Sequence, residues 1–265
     1  MKFNDNYLMD YLSYAPLPLA IERIVECRIL SKLPFEEPIL DIGCGEGLFA
    51  SILFREKIDL GIDPNPSELK RARELRGYFE LKECFGDKIP MPDGTYQTIF
   101  SNSVLEHIEQ LEPVLREARR LLAPGGRFYM TVPSDLFEHY TVINQLLIVL
   151  GLNRMASRYR AFFNHFWVHY HGYSVSKWES IVEKAGFLVV ESRSYMPKYL
   201  CVLNDFLVPF SILGLVTKKV FNRWILFPLL RRVLMIPIGL MVGRLVEGTE
   251  NVESGGLVFL VMTKS

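Results

Sequence analysis

Short apolar runs alternate with stretches of helical periodicity through the first two thirds of the chain. The runs are residues 38–42, 59–62, 81–85, 98–101, 127–132 and 187–193. This rhythm predicts a parallel sheet with crossover helices. Over residues 108–122 one helical face carries Leu111, Val114, Leu115, Ala118, Leu121 and Leu122, while Glu117, Arg119 and Arg120 fall elsewhere. Pro124, Gly125 and Gly126 then stop the helix. Residues 256–264 read as one more buried strand.

Two stretches break the rhythm. Residues 134–172 are rich in aromatics and histidines and include a charge-free run at 140–153. Residues 195–246 are apolar and punctuated by Pro209, Pro228 and Pro237. Both read as insertions between sheet elements, and residues 1–36 as a helical N-terminal segment, within a single domain spanning 1–265. A length of 265 residues, 49% hydrophobic and 23% charged, suits such a globular unit.

The formal net charge is zero. That removes the global positive field of a protein that tracks nucleic acid, so any electrostatic partner must be met locally. Cys27, Cys44, Cys84 and Cys201 lack CxxC spacing, which argues against a zinc knuckle and a disulfide framework and fits a reducing compartment. Asp5 and Asp10 interrupt the apolar run a secretory signal would need, so no cleaved leader is expected and the catalytic part should face the cytoplasm.

The chemistry concentrates at residues 39–48, ILDIGCGEGL, an apolar strand running into Gly43, Gly45 and Gly47 and then a helix. Glycine is required where the backbone turns sharply and a ligand approaches its amides. A plain strand-to-helix turn is one alternative, and the dinucleotide fingerprint GxGxxG with an acid about 20 residues on is another. Asp63 lies at the ribose-binding distance for either cofactor. The GxGxG spacing and the acid Asp41 before the first glycine favour a ligand with a cationic sulfonium and ammonium over one with a pyrophosphate.

With these residues in view, the chain resembles the class I methyltransferases that use S-adenosylmethionine (SAM), of the ubiquinone and sterol methyltransferase type. The landmarks are LDIGCGEG, GIDPNP, FGDKIPMPDGTYQTIFSNSVLEHI and ARRLLAPGGRFYMTVP, with WESIVEKAGF later. The resemblance implies a Rossmann-like α/β three-layer sandwich with a seven-stranded, mostly parallel sheet, its last strand antiparallel. It implies that Gly43 and Gly45, with Cys44 between them, line the methionine moiety, and that Asp63, followed by Pro64, holds the ribose hydroxyls. Asp87 would accept from the adenine amino group beside Lys88 and Ile89, and Ser101 and Asn102 would close the pocket near the sulfonium. His107 would touch cofactor or substrate. Capping at Asp87, a satisfied strand end at Asn102 and packing at His107 are the structural alternatives.

Methyl transfer from a sulfonium is an in-line displacement, so alignment dominates and a base is needed only where the acceptor loses a proton. The visible candidates lie in the first insertion, His139 and His165 foremost, with His169 and His171 beyond. No carboxylate or cysteine accompanies them at ligand spacing, so no metal is expected. Phe162, Phe163, Phe166, Trp167, Tyr170 and Tyr173 suit either a water-excluding lid or a packed helix.

From 206 to 246 there is no acidic residue, while Lys218, Lys219, Arg223, Arg231, Arg232 and Arg244 are basic. The charge-free runs at 206–217 and 233–243 fall short of the roughly 20 residues that span a bilayer. Short apolar helices flanked by cations instead suit an interfacial anchor on an anionic membrane surface. A lid over the acceptor and a homodimer surface are alternatives. The expected activity is methyl transfer to an oxygen or carbon of a small or lipid-linked acceptor, by a cytoplasmic protein peripheral to the inner membrane face. A non-catalytic adaptor built on the same fold competes with it. A nucleic-acid methyltransferase is disfavoured, because Ser101-Asn-Ser-Val104 stands where an Asn-Pro-Pro-Tyr type motif would be.

Overall fold

The computed structural model describes residues 1–264. Seven strands form one sheet in the order β3-β2-β1-β4-β5-β7-β6. They are β1 (Ile39–Ile42), β2 (Ile58–Asp63), β3 (Tyr78–Glu83), β4 (Tyr96–Asn102), β5 (Leu122–Pro133), β6 (Phe187–Pro197) and β7 (Gly255–Lys264). The ladders from β3 to β5 are parallel, and β7 runs antiparallel between β5 and β6. This is the architecture the resemblance implies.

Alternate side chains of each strand serve two apolar layers. On one face Ile39, Phe100, Tyr129 and Phe259 pack with Leu12, Ile21, Ile24 and Val25 of the helices α1 (Tyr7–Tyr14) and α2 (Leu17–Leu30). On the other, Leu40, Ile99, Phe128 and Leu260 pack with Leu115 and Leu121 of α5 (Leu111–Leu121) and with Trp178 of α8 (Val175–Lys184). The helices α3 (Leu48–Leu53) and α4 (Pro66–Leu75) complete the crossovers between β1, β2 and β3.

One strand is displaced from its expected place. Residues 81–85 read as a run, whereas β3 begins at Tyr78, because Arg76 closes α4 in the left-handed conformation and Gly77 releases the chain at once. Phe85, 70% exposed, lies beyond the strand. The chain leaves β1 on one side of the sheet and returns at β4 on the other. That reversal opens a crevice at the carboxyl ends of β1 and β4, where ligands bind in such folds.

The first insertion forms α6 (Val142–Val149) and α7 (Asn153–Phe166). The second begins after β6 and contains α9 (Lys198–Leu207), α10 (Ile212–Phe221), α11 (Pro228–Leu234) and α12 (Ile236–Leu245). A turn at Val208–Ser211 lets α9 run on into α10. Residues Lys198–Phe221 thereby make one 24-residue helix, long and apolar enough by length and composition to cross a membrane, with a mean hydropathy of 1.9 over its most apolar 18 residues. The charge-free run at 206–217 thus understates the length of apolar helix, which continues across Asp205 towards Lys198.

Both ends of that helix are held on the catalytic fold. Lys198 lies over the Tyr140 ring, and Lys218 pairs with Glu46 at 2.7 Å and Glu68 at 3.1 Å. The helix therefore lies along the domain. Arg231 donates to the carbonyls of Leu12 and Ala15 at 2.8 and 3.1 Å, and Arg232 pairs with Asp10. Three of the six cations in the insertion thus face inward, while Lys219, Arg223 and Arg244 are exposed.

Candidate active site

The loop after β1 is cut for a ligand. Gly43, Gly45 and Gly47 have φ of 80°, 51° and 74°, a region costly for other residues. The amides of Gly43 and Cys44 both donate to the Ile62 carbonyl at 2.9 Å, turning the chain back over β2. The Gly45 amide donates to Asp63 Oδ2 at 3.0 Å, and Asp63 Oδ1 accepts from the Asn65 amide at 2.8 Å. A Cβ on Gly43 would lie 2.4 Å from Val104 Cγ1, whereas above Gly45 the space is open.

A 580 Å³ cavity opens beside this loop, within the range that holds a small-molecule ligand. Gly43, Asp63, Pro64, Asp87 and His107 line it, joined by Val104, Ile108 and Tyr170. Desolvation raises the Asp63 carboxyl above the ordinary range, opposed by the amide hydrogen bonds from Asn65 and Gly45. A bare glycine approach at one end and two carboxylates along the wall match a ligand that carries donor groups on a ribose and an adenine. The residues present therefore fit SAM.

Other expected contacts lie elsewhere. Asp41 is buried beneath the loop and accepts from the Tyr78 hydroxyl at 2.6 Å, with burial pushing its carboxyl up to about 7. It supports the glycine turn from below and does not line the cavity. Cys44 and Gly45 also stay out of the lining. Lys88 is exposed, and Ile89 is buried with its amide donating to Glu117 at 2.7 Å. Ser101 donates to the Ile42 carbonyl, fastening β4 to β1. Asn102 donates to Glu26 at 2.8 Å and accepts from Thr131 at 3.0 Å, so it is a strut within the fold.

That strut leads to a group the sequence reading missed. Glu26 on α2 is fully buried and accepts from Arg23, Asn102, Ser103 and Tyr195 at 2.6–3.0 Å. Arg23 also donates to Ser103 at 2.7 Å and lies 3.5 Å from Glu22. The signal was present as Glu22, Arg23 and Glu26 within the apolar helix LPLAIERIVECRIL. Charges on a helix that must bury most of its surface require partners.

These residues border a second cavity of 300 Å³, lined by Glu22, Arg23, Glu106, His107, Phe163 and His169 among others. His107 lines both cavities. Its Nδ1 lies 3.1 Å from the Val168 carbonyl, which assigns the proton to Nδ1 and leaves Nε2 as an acceptor. Its ring is 5.1 Å from that of His169. Desolvation lowers both imidazoles, His169 to about 4 with the charge of His107 adding to it, so both are neutral near pH 7. Glu106 is buried, its Oε2 has no hydrogen-bond partner among the described residues, and burial pushes its carboxyl up to about 8. It stands in the wall as a neutral acid able to donate or accept.

The two histidines expected to serve as bases take other places. His139 is half-buried and lines neither cavity, its carbonyl accepting from Asn144 and Gln145 at 2.7 Å. His165 is exposed on α7 and lines neither cavity. The turn after α7, where Val168 has φ of 57°, brings His169 inward instead. His171 is held between the Tyr173 hydroxyl and the Ile108 carbonyl.

A glycine-cradled cavity at the switch point, bordering a second cavity at His107, sits on a Rossmann-like α/β fold. The family model described as a methyltransferase domain matches residues 17–192, and the chain belongs to that family, whose cofactor is SAM. A sterol 4-C-methyltransferase of Caenorhabditis elegans is 29% identical over 146 residues, covering 48% of this chain and 43% of that protein. A malonyl-[acyl-carrier protein] O-methyltransferase of Halorhodospira halophila is 31% identical over 133 residues, covering 44% of each. The matched segments thus span less than half the length of these curated relatives. Among solved structures, a SAM-dependent methyltransferase of Thermotoga maritima superposes with a TM-score of 0.56 at 16% identity, over 94% of this chain and 92% of that one. A geranyl diphosphate C-methyltransferase of Streptomyces coelicolor A3(2) gives 0.51 at 14%, over 91% and 77%. These likenesses are of fold.

Proposed function

We propose that the chain transfers the methyl group of SAM to an oxygen or carbon of an acceptor with an apolar body, at an anionic membrane surface on the cytoplasmic side. The junction of the glycine-cradled cavity with the aromatic-walled cavity at His107 carries this reading. When bound, SAM supplies an electrophilic methyl group on its sulfonium. Gly43 and Asp63 would hold the cofactor, with Asp87 facing its adenine. Phe163 and Trp167 exclude water from the acceptor side, and Glu106 or Arg23 orients the acceptor's polar atom. For a hydroxyl acceptor the proton leaving oxygen passes to a neutral imidazole, His107 or His169. The relatives named for sterol and acyl-carrier substrates support an apolar or lipid-linked acceptor. Four unpaired cysteines support a reducing compartment.

Isothermal calorimetry with SAM, followed by transfer from radiolabelled SAM to extracted lipids and metabolites, tests the proposal. The wild type is expected to bind SAM. Asp63→Ala is expected to bind it 10- to 100-fold more weakly, as loss of about 1.5–3 kcal/mol from hydrogen bonds to a charged group implies. Absence of SAM binding by the wild type would overturn the enzyme reading and leave the adaptor.

A further inference from the structure

Resting on that reading, we infer that a groove between α2, α10 and α11 holds a hydrocarbon tail of the acceptor, so that the substrate is a single-chain amphiphile. The groove has a volume of 430 Å³ and shares Pro16, Pro18, Ser211 and Trp224 with the acceptor cavity. The acceptor cavity in turn meets the cofactor cavity at His107. The three cavities are therefore neighbours in series, the cofactor cavity meeting the acceptor cavity at His107 and the acceptor cavity meeting the groove at Pro16, Pro18, Ser211 and Trp224. Along the groove Leu213, Phe227, Leu230 and Leu234 are exposed on the apolar insertion.

The groove's chemistry selects the tail. Arg231 turns its Nε and Nη2 towards the Leu12 and Ala15 carbonyls. The Thr217 hydroxyl lies 2.9 and 2.7 Å from the Gly214 and Trp224 carbonyls, which share its one proton, and Trp224 Nε1 donates to Glu46 at 2.6 Å. Most of the remaining lining is hydrocarbon, from Leu17, Leu207, Phe210, Leu213, Ile225 and Leu230. Water there finds few partners, and its replacement by methylene groups is favourable. A head bearing the methyl-accepting atom fits the other end, where Glu106 Oε2 and Asn204 Oδ1 lack partners among the described residues. An apolar groove next to a polar terminus is what an amphiphile requires and what a small polar metabolite leaves unused.

The full-length protein is titrated with chain-brominated dodecyl maltoside below its micelle concentration, and quenching of Trp224 fluorescence is followed. The expected result is saturable quenching that Trp224→Phe largely removes. Leu213→Glu, at an exposed position on the groove wall, is expected to weaken it at least about ten-fold, because a carboxylate would be buried beside the chain. Leu240→Glu, equally exposed on α12 but outside the groove, is expected to leave it unchanged. Unsaturable quenching, quenching that persists in Trp224→Phe, or equal effects of the two glutamate variants would overturn the inference. SAM calorimetry on the same proteins separates the two readings. Saturable quenching without SAM binding would remove the methyltransferase function and leave the groove, whereas SAM binding without saturable quenching would do the reverse.

Discussion

His169 and His107 owe their character to burial rather than to a carboxylate partner. Each is desolvated, and a neighbouring charge adds to the effect, that of Arg23 at His107 and that of His107 at His169, so the neutral form persists below the usual histidine range. A lowered value means the base remains available as pH falls. The acid limb of a turnover profile is therefore expected below pH 6.5, the ordinary imidazole value. His169→Gln should lower turnover on a hydroxyl acceptor by roughly 10²- to 10⁴-fold, as loss of a positioned base does. Its SAM affinity should be unchanged, since His169 does not line the cofactor cavity. His139→Ala and His165→Ala should turn over as the wild type does. A steady-state profile against pH for the three variants checks this; an effect confined to His139 or His165 would reverse the assignment.

Between elements, the second insertion is joined to α1 by charge and by close approach. Gly239 of α12 sits where an added Cβ would lie 2.6 Å from Met9 Sδ, so α12 comes close to α1 there. Arg231 accepts no substitute easily, because its guanidinium covers the carbonyl of Leu12 within the last turn of α1 and that of Ala15 just beyond it. Arg231→Ala is expected to cost about 2 kcal/mol, the range for hydrogen bonds to a charged group. For a chain of this size that is a fall in melting temperature of roughly 4–8 °C. Hydrogen exchange should rise in α11 and α12 first. Scanning calorimetry and exchange mass spectrometry read both; a fall in melting temperature without local exchange would contradict the tether.

The whole molecule presents an unusual face. Phe210, Leu213, Phe227, Leu229 and Leu240 are each 71–77% exposed, and α6 adds Leu146 and Val149. Exposed apolar surface on this scale marks an interaction site. Lys219, Arg223 and Arg244 are the outward cations of the insertion, so charge selectivity should rest on them and not on Arg231 or Arg232, which are bonded to α1 and the turn after it. Retention on anionic vesicles is expected to exceed that on neutral ones. It should drop by about 1 kcal/mol for each of the three changed to Gln, the usual contribution of one basic residue near such a surface. Co-sedimentation measures this, and retention indifferent to charge would favour a dimer surface or a lid.

What the sequence determined by itself are features set by local rules. The strand-loop-helix at 39–48 is legible because glycine takes positive φ at the least cost, the strands because they are short apolar runs, and α5 because a period of 3.6 is written along it. Asp63 is singled out by its spacing of 20 residues from Gly43, and Asp87 only by the family resemblance. The tertiary structure decided matters that depend on partners distant in sequence. Glu26 gathers donors from α2, β4, the turn after β4 and β6; His169 is turned inward by a backbone reversal; Asp41 is taken up by Tyr78. Three cations of the insertion face the fold and three face outward. Burial and pairing are properties of neighbours, and neighbours 37 to 222 positions away leave no local pattern to read.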